Sequence, residues 1–358
     1  MRYRNLGSTG LKVSEISFGT IPILSGNIPV LPDYFSPDEE TAIGIMKYAF
    51  KLGCNLFDTA IVPEYGDAEI KLGKFAGLIG RENLIISDKS RFFTGDEMYN
   101  AVHESCENLS TYADIYFVHQ VDEKNEDITF GKYGAVDALK ELKAEGKIKF
   151  TGVATHYYDI LLRSAKDKRV DVLQGSGNIL ERGMLDRMES EPLFKQKGFI
   201  LNKVYAAGVL PSFFPIKTLL SGVLSYPIST ALIGVGTYKQ VYEAMLKEPR
   251  SYNRPTFLQV MSQLEKNFIP IHCDRCQRCR CIHGTEIHII FRQYNYYFLG
   301  KDYWALRKLD LGIKESAALC RKCTDMSCIK KCPHAINIPE TVQIIKELVE
   351  IHIRNSLI

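Results

Sequence analysis

Asn55-Leu56-Phe57-Asp58-Thr59-Ala60-Ile61-Val62-Pro63-Glu64-Tyr65-Gly66 is the stretch on which the reading of this chain turns. The apolar run Leu56-Phe57 breaks at Asp58, and a loop then presents Tyr65 just before Gly66. That is a β-strand ending in a carboxylate, followed by a phenol on the way to the next helix. A buried strand seldom ends in an acid without a chemical reason, so the stretch is expected to form one wall of an active site.

On both sides of it the same unit recurs. Residues 16–20 read as a buried strand before it; 84–87, 114–118, 150–155, 170–174, 199–205 and 230–234 follow it. Helical periodicity fills the intervals. One helix opens at Ser36-Pro37 with a serine cap and acids in its first turn; others cover 67–77, a segment from Thr94, 134–144, 158–166, 191–197, 216–226 and 238–246. Eight strands alternating with eight helices over about 250 residues fit an α/β fold of the (β/α)8 TIM-barrel type. Alternation alone also fits an open doubly wound sheet; the count of eight favours closure. Residues 2–14 read as a hairpin around Ser8-Thr9-Gly10, and 21–36 as a long loop with three prolines.

The 358 residues, 46% hydrophobic and 24% charged, describe a globular chain. A net charge of +3 makes no global case for nucleic acid. The polar opening MRYRNLGSTG has no signal-peptide core, and no apolar run is long enough for a bilayer, so a cytoplasmic location without membrane association is expected. Past Pro249 the alternation stops. A boundary near residue 266 divides a barrel (1–265) from a small, mostly helical domain (266–358). Residues 270–336 carry twelve Lys/Arg and six Asp/Glu, which suits a solvated basic face, compensation for an anionic cluster, or a dock for an acidic redox partner.

In such a barrel chemistry sits at the C-terminal strand ends. Asp58, Lys89 and His119 end three consecutive strands, and Tyr65 follows the first of these. A phenol is a poor acid near neutrality, but a nearby ammonium lowers its pKa. A carboxylate would hold the ammonium, and an imidazole would orient a carbonyl oxygen, so the four together can deliver a proton as hydride reaches the carbonyl carbon. The bland reading is four unrelated rim residues with a structural Asp58–Lys89 ion pair.

The barrel resembles the aldo-keto reductase superfamily, on RYRNLGSTGLKVSEISFGT, NLFDTA followed by EYGDAEIKLGK, ISDK, YFVHQ and GVATH. The resemblance implies a small-molecule carbonyl substrate, with Tyr65 as general acid, Lys89 and Asp58 tuning it, and His119 orienting the carbonyl. In the family the tyrosine usually lies five positions after the aspartate; here the step is seven. It also implies a nicotinamide dinucleotide across the rim, contacted by Thr155, His156, Gln174, Lys203, Tyr205, Gly234, Gly236, Thr237 and Lys239. Lys239 could reach a 2′-phosphate, which favours NADP(H) over NAD(H).

Eight of the ten cysteines fall after Ile271, in two groups: Cys273, Cys276, Cys279, Cys281 and Cys320, Cys323, Cys328, Cys332, the last followed by Pro333. Clustering in a chain of this kind favours metal over disulfides. Short three-cysteine runs with a remote fourth before proline follow the ferredoxin pattern, in which the fourth cysteine serves the other cluster. Two 4Fe-4S clusters are then expected, one on Cys273, Cys276, Cys279 and Cys332, the other on Cys320, Cys323, Cys328 and Cys281. A single cluster and two four-cysteine zinc sites are the competing readings. A branch of the aldo-keto reductases carries such a ferredoxin-like C-terminal domain, and this chain resembles that branch. The expected function is thus NAD(P)H-dependent carbonyl reduction or alcohol oxidation, with clusters for electron transfer or structure. The alternatives are an iron–sulfur electron-transfer protein whose barrel no longer moves hydride, and a zinc-stapled reductase.

Overall fold

Eight short parallel strands close on themselves in the computed structural model, which describes residues 1–25, 37–246, 249, 251–264, 269–300 and 303–356. They are β1 (Ile16–Gly19), β2 (Leu56–Asp58), β3 (Ile85–Ser90), β4 (Ile115–His119), β5 (Phe150–Ala154), β6 (Val172–Ser176), β7 (Gly198–Asn202) and β8 (Thr230–Gly234). Each pairs with its successor, and β8 returns to β1 with Ala231 opposite Ile16 and Gly234 opposite Gly19. Helices fill the crossovers, as in a (β/α)8 TIM barrel.

The period of two along a strand explains how one sequence builds both core and site. Leu56, Ile85, Ile115, Phe117, Ala154, Val172, Ile200 and Leu232 form one buried cluster. Leu6 and Val13, from the hairpin of Tyr3–Asn5 and Lys12–Ser14, join it. Fully burying each of the valine, leucine, isoleucine and phenylalanine side chains is worth roughly 1.5–3 kcal/mol. Two or four residues farther along the same strands, at the same parity, stand Asp58, Lys89, His119 and Gln174. Gly152, opposite Phe117 in the β4–β5 register, leaves room for that ring, which a Cβ would overlap.

Several local expectations change. The first long helix, Glu39–Lys51, is capped by Asp38, whose carboxylate accepts from the Thr41 N–H at 2.7 Å. Asp38 therefore does the work expected of Ser36, which lies outside the described residues, as does the rest of 26–36. Instead of a helix over 191–197 there is one at Gly183–Ser190 and a 3-10 turn at Pro192–Lys195, since Pro192 begins a turn and cannot continue the preceding helix. The segment expected as a helix over 238–246 is α-helical only at Tyr238–Val241 and continues as a π-helical turn, Tyr242–Leu246.

The chain divides into two compact units: Met1–Asn178, Leu185–Tyr205 and Pro215–Arg254 form the first, and Ile179–Met184, Ala206–Phe214 and Pro255–Ile358 the second. In the second unit, helices Tyr303–Lys322 and Ile338–Ser356 pack together. They bury Leu306, Leu309, Ile313 and Ala317 on one and Val342, Ile345 and Val349 on the other, at helical spacing. Among the described residues no helix is long and apolar enough to cross a membrane.

Candidate functional site

Lys89 is the hub of the rim. Its ammonium donates to the Asp58 Oδ1 and, at 2.6 Å, to the Thr59 carbonyl. Asp58 Oδ2 accepts from Ser87 Oγ at 2.7 Å and Gln174 Nε2 at 3.0 Å. The side chains of Asp58 and Lys89 are each 2% exposed, so their pairing is a buried ion pair, in which removing one partner costs far more than the pair contributes. Burial disfavours the Lys89 cation, but the charges of Asp58 and Tyr65 outweigh it and raise its pKa.

The two extra residues before Tyr65 do not make a loop. Residues Val62–Tyr65 form one helical turn with Pro63 in its first positions. The Glu64 and Tyr65 N–H groups both donate to the Ile61 carbonyl, at 2.8 and 3.0 Å, and Gly66 with φ 56° turns the chain away. The turn takes up the extra length and sets the half-buried Tyr65 beside Lys89, whose Nζ is 4.8 Å from the ring centroid. Burial raises the phenol pKa; Lys89 is the main opposing influence, and the Asp58 and Glu64 charges add to the rise.

The same turn brings in a residue that sequence reasoning missed. Glu64 Oε2 lies 2.5 Å from His119 Nδ1 and accepts from Arg91 Nε at 3.0 Å. Burial opposes the Glu64 charge, but His119 and Arg91 hold its pKa below the ordinary value. Burial lowers the His119 pKa, and Lys89 and Arg91 push the same way against Glu64. A glutamate immediately before the tyrosine, in the inserted segment itself, was the signal available.

The expected cofactor residues lie at the ends of β5 to β8 and just beyond them. The Thr155 hydroxyl is engaged within the chain, donating to the Val121 carbonyl at 2.6 Å and accepting from the Tyr157 N–H at 3.1 Å. His156 Nδ1 meets Ser176 Oγ at 3.0 Å. Lys203 is exposed with φ 59°, and its carbonyl accepts from Asn178 Nδ2 at 3.2 Å. The Gly236 N–H donates to Gln240 Oε1 at 2.8 Å, Thr237 caps the following turn, and Gly234 and Lys239 are exposed. Gln174 Oε1, Asn202 Oδ1 and Tyr205 Oη, on or just after the adjacent strands β6 and β7, are buried atoms without a hydrogen-bond partner. Such oxygens are costly unless a ligand satisfies them. An amide-bearing cofactor such as nicotinamide suits that set.

In the second unit the eight cysteines, none in a disulfide, line two cavities. Cys273, Cys276, Cys279 and Cys332, with Pro333, surround one, partly open to solvent. Cys281, Cys320, Cys323 and Cys328 surround the other. The neighbours Cys279 and Cys281 thus face different cavities, and so do Cys328 and Cys332. Burial and mutual repulsion push the Cys279 thiol up to about 12 and the Cys320 thiol up to about 11. Among the described residues no three His, Cys, Asp or Glu side chains converge on a single-ion site.

The sequence profile of the Aldo/keto reductase family matches residues 15–211, over half of the chain, and the chain belongs to that family of oxidoreductases. It is 35% identical over 170 residues to an L-galactose dehydrogenase of Arabidopsis thaliana, covering 44% of this chain and 49% of that protein. Against an NADH-specific methylglyoxal reductase of Escherichia coli it is 26% identical over 223 residues, 56% of this chain and 65% of that one. The chain spans about half the length of the curated relatives it matches. A crystal structure titled as an aldo-keto reductase of Pseudomonas aeruginosa superposes with a TM-score of 0.59 at 26% identity, over 68% of this chain and 93% of that one. An aldo-keto reductase of Bacillus halodurans in its holo form gives 0.60 at 21% identity over 74% and 96%, a likeness of fold.

Proposed function

We propose that the barrel interconverts a small carbonyl compound and its alcohol with a nicotinamide dinucleotide, and that the second unit carries two 4Fe-4S clusters. The observation that carries the first part is the convergence of Asp58, Lys89, Tyr65 and His119 on one sector of the rim. Tyr65 gives its phenolic proton to the substrate oxygen. Lys89, held by Asp58 and Thr59, stabilises the phenolate that remains. His119 orients the oxygen. The bound nicotinamide supplies or accepts the hydride. Gln174, Asn202 and Tyr205, with their unsatisfied oxygens, would hold its amide, and exposed Lys239 would suit a 2′-phosphate, which favours NADP(H). Relatives that act on L-galactose and methylglyoxal make small hydroxy- and dicarbonyl compounds the first substrates to try.

The second part is supported by the distribution of thiols over the two cavities, which follows the crossed ferredoxin pattern. Clusters supply one-electron transfer or structural cross-linking. Cys273, Cys276, Cys279 and Cys332 would hold one, and Cys320, Cys323, Cys328 and Cys281 the other. Since they pass single electrons and nicotinamide passes pairs, exchange with an external redox protein is the role their chemistry suits. The barrel chemistry is tested by NADPH oxidation across a panel of small aldehydes and hydroxyketones, with Tyr65→Phe as control. Loss of activity in the variant supports the reading; undiminished activity means that Tyr65 is not the acid. Anaerobic purification tests the clusters: a brown protein with iron and acid-labile sulfide is expected, and a colourless zinc protein contradicts them.

A further inference from the structure

The helical turn inserted before Tyr65 also fixes how its neighbour can work. Glu64 is 8% exposed, and its Oε2 meets both His119 Nδ1 and Arg91 Nε. With Arg91 as a second partner, Glu64 is an ionised carboxylate, and a carboxylate only accepts hydrogen bonds. The hydrogen of the 2.5 Å contact therefore belongs to His119 Nδ1. A neutral imidazole carries one N–H, so once Nδ1 has it, Nε2 is left with a lone pair.

We propose that Glu64 is a positioning residue that pins His119 in the Nδ1–H tautomer, so that Nε2 faces a substrate oxygen as an acceptor when the ring is neutral and as a donor only when it is cationic. This rests on the reading of the rim as a carbonyl–alcohol site. A neutral ring receives a hydrogen bond from an alcohol hydroxyl and has none to give a carbonyl, which leaves Tyr65 as the sole donor to a carbonyl oxygen. A cationic ring serves the carbonyl and repels nothing but its cationic neighbours. The charged and titratable groups around the ring are Glu64 from the turn, Lys89 from β3, and Arg91 just after it. Burial, Lys89 and Arg91 all favour the neutral ring, and Glu64 alone opposes them. At and above neutral pH the ring thus offers the substrate oxygen only an acceptor, and acid turns it into a donor.

The test is long-range ¹H–¹⁵N correlation of the histidine rings in the full-length protein. His119 is assigned among the eight histidines by the signals that disappear in His119→Asn. The expected result at pH 8 is a ring with Nδ1 protonated and Nε2 bare. Glu64→Gln, close in size, removes the charge and should lower the titration midpoint of His119 by about one unit or more. Glu64→Ala should release the ring from the Nδ1–H state. A wild-type ring with bare Nδ1, or a midpoint and tautomer indifferent to both substitutions, overturns the proposal. The measurement needs no substrate, so it separates from the functional reading: a pinned tautomer in a protein inactive on every carbonyl would leave Glu64 in its role and sink the carbonyl chemistry.

Discussion

Replacing Lys89 by methionine removes the hub of the rim while keeping its bulk. The ammonium it deletes is the cation paired with Asp58, and both side chains are 2% exposed. Asp58 would keep two neutral donors, Ser87 Oγ at 2.7 Å and Gln174 Nε2 at 3.0 Å. A buried charge stripped of its partner costs about 3–5 kcal/mol. Asp58→Asn does the converse, leaving Lys89 with the Thr59 carbonyl and the Tyr65 ring, and a loss of similar size is expected. The double variant buries neither charge. It should be no less stable than either single variant, with a coupling of about 3 kcal/mol between the sites. Urea unfolding of the four proteins by circular dichroism measures this, taken on the transition that the substitutions move. Losses that add to within about 0.5 kcal/mol would show no coupling and refute the buried pair. Lys89→Met should also cost activity at least about 100-fold, because the main influence lowering the Tyr65 pKa is gone.

Three further outcomes follow from the same structure. Gly152→Ala should destabilise the barrel by about 1–3 kcal/mol, since the new methyl overlaps the Phe117 ring in a filled interior; thermal unfolding checks it. Burial, then the Glu69 charge, raise the Asp88 pKa, and Asp88 Oδ2 and Glu69 Oε1 are buried atoms without a hydrogen-bond partner. A folded-state acid pKa above the unfolded value means stability present at low pH and lost as pH rises from the ordinary carboxyl range through the raised value. Asp88→Asn should therefore remove that decline, and urea midpoints at pH 5 and pH 8 that fall as steeply in the variant would contradict it. Finally, Cys332→Ala and Cys279→Ala should remove the same half of the iron, and Cys281→Ala the other half, read by iron content and electron paramagnetic resonance. Loss of one signal by both Cys279→Ala and Cys281→Ala would contradict the crossed arrangement.

The barrel was legible because its strands obey one period. Leu56 and Asp58, or Ile115, Phe117 and His119, point the same way, so apolar residues that fill the interior also mark which polar residues stand above it. The crossed set expected from the proline after Cys332 and the three-cysteine runs matches the division of the eight thiols between the two cavities, and the clusters themselves are a proposal. What escaped was short-range geometry. Residues 61–66 look like a loop with an insertion; only a folded helical turn reveals that the inserted segment brings Glu64 onto His119. The cap at Asp38 was masked by an equally plausible serine two residues earlier. Thr155 has the composition of a ligand-binding residue, yet its hydroxyl is taken by Val121 and Tyr157, a partnership set by strand register and invisible in the sequence.

The most direct test of the central claim is isotope transfer under single-turnover conditions. NADPH deuterated at both C4 positions is mixed with the enzyme and whichever aldehyde or hydroxyketone of the panel is consumed, and the alcohol is examined by mass spectrometry. One deuterium on the former carbonyl carbon is expected from the wild type, with the rate at least about 100-fold lower for Tyr65→Phe. NADPH consumed without deuterium in any alcohol, or deuterium delivered as fast by the phenylalanine variant, would contradict it.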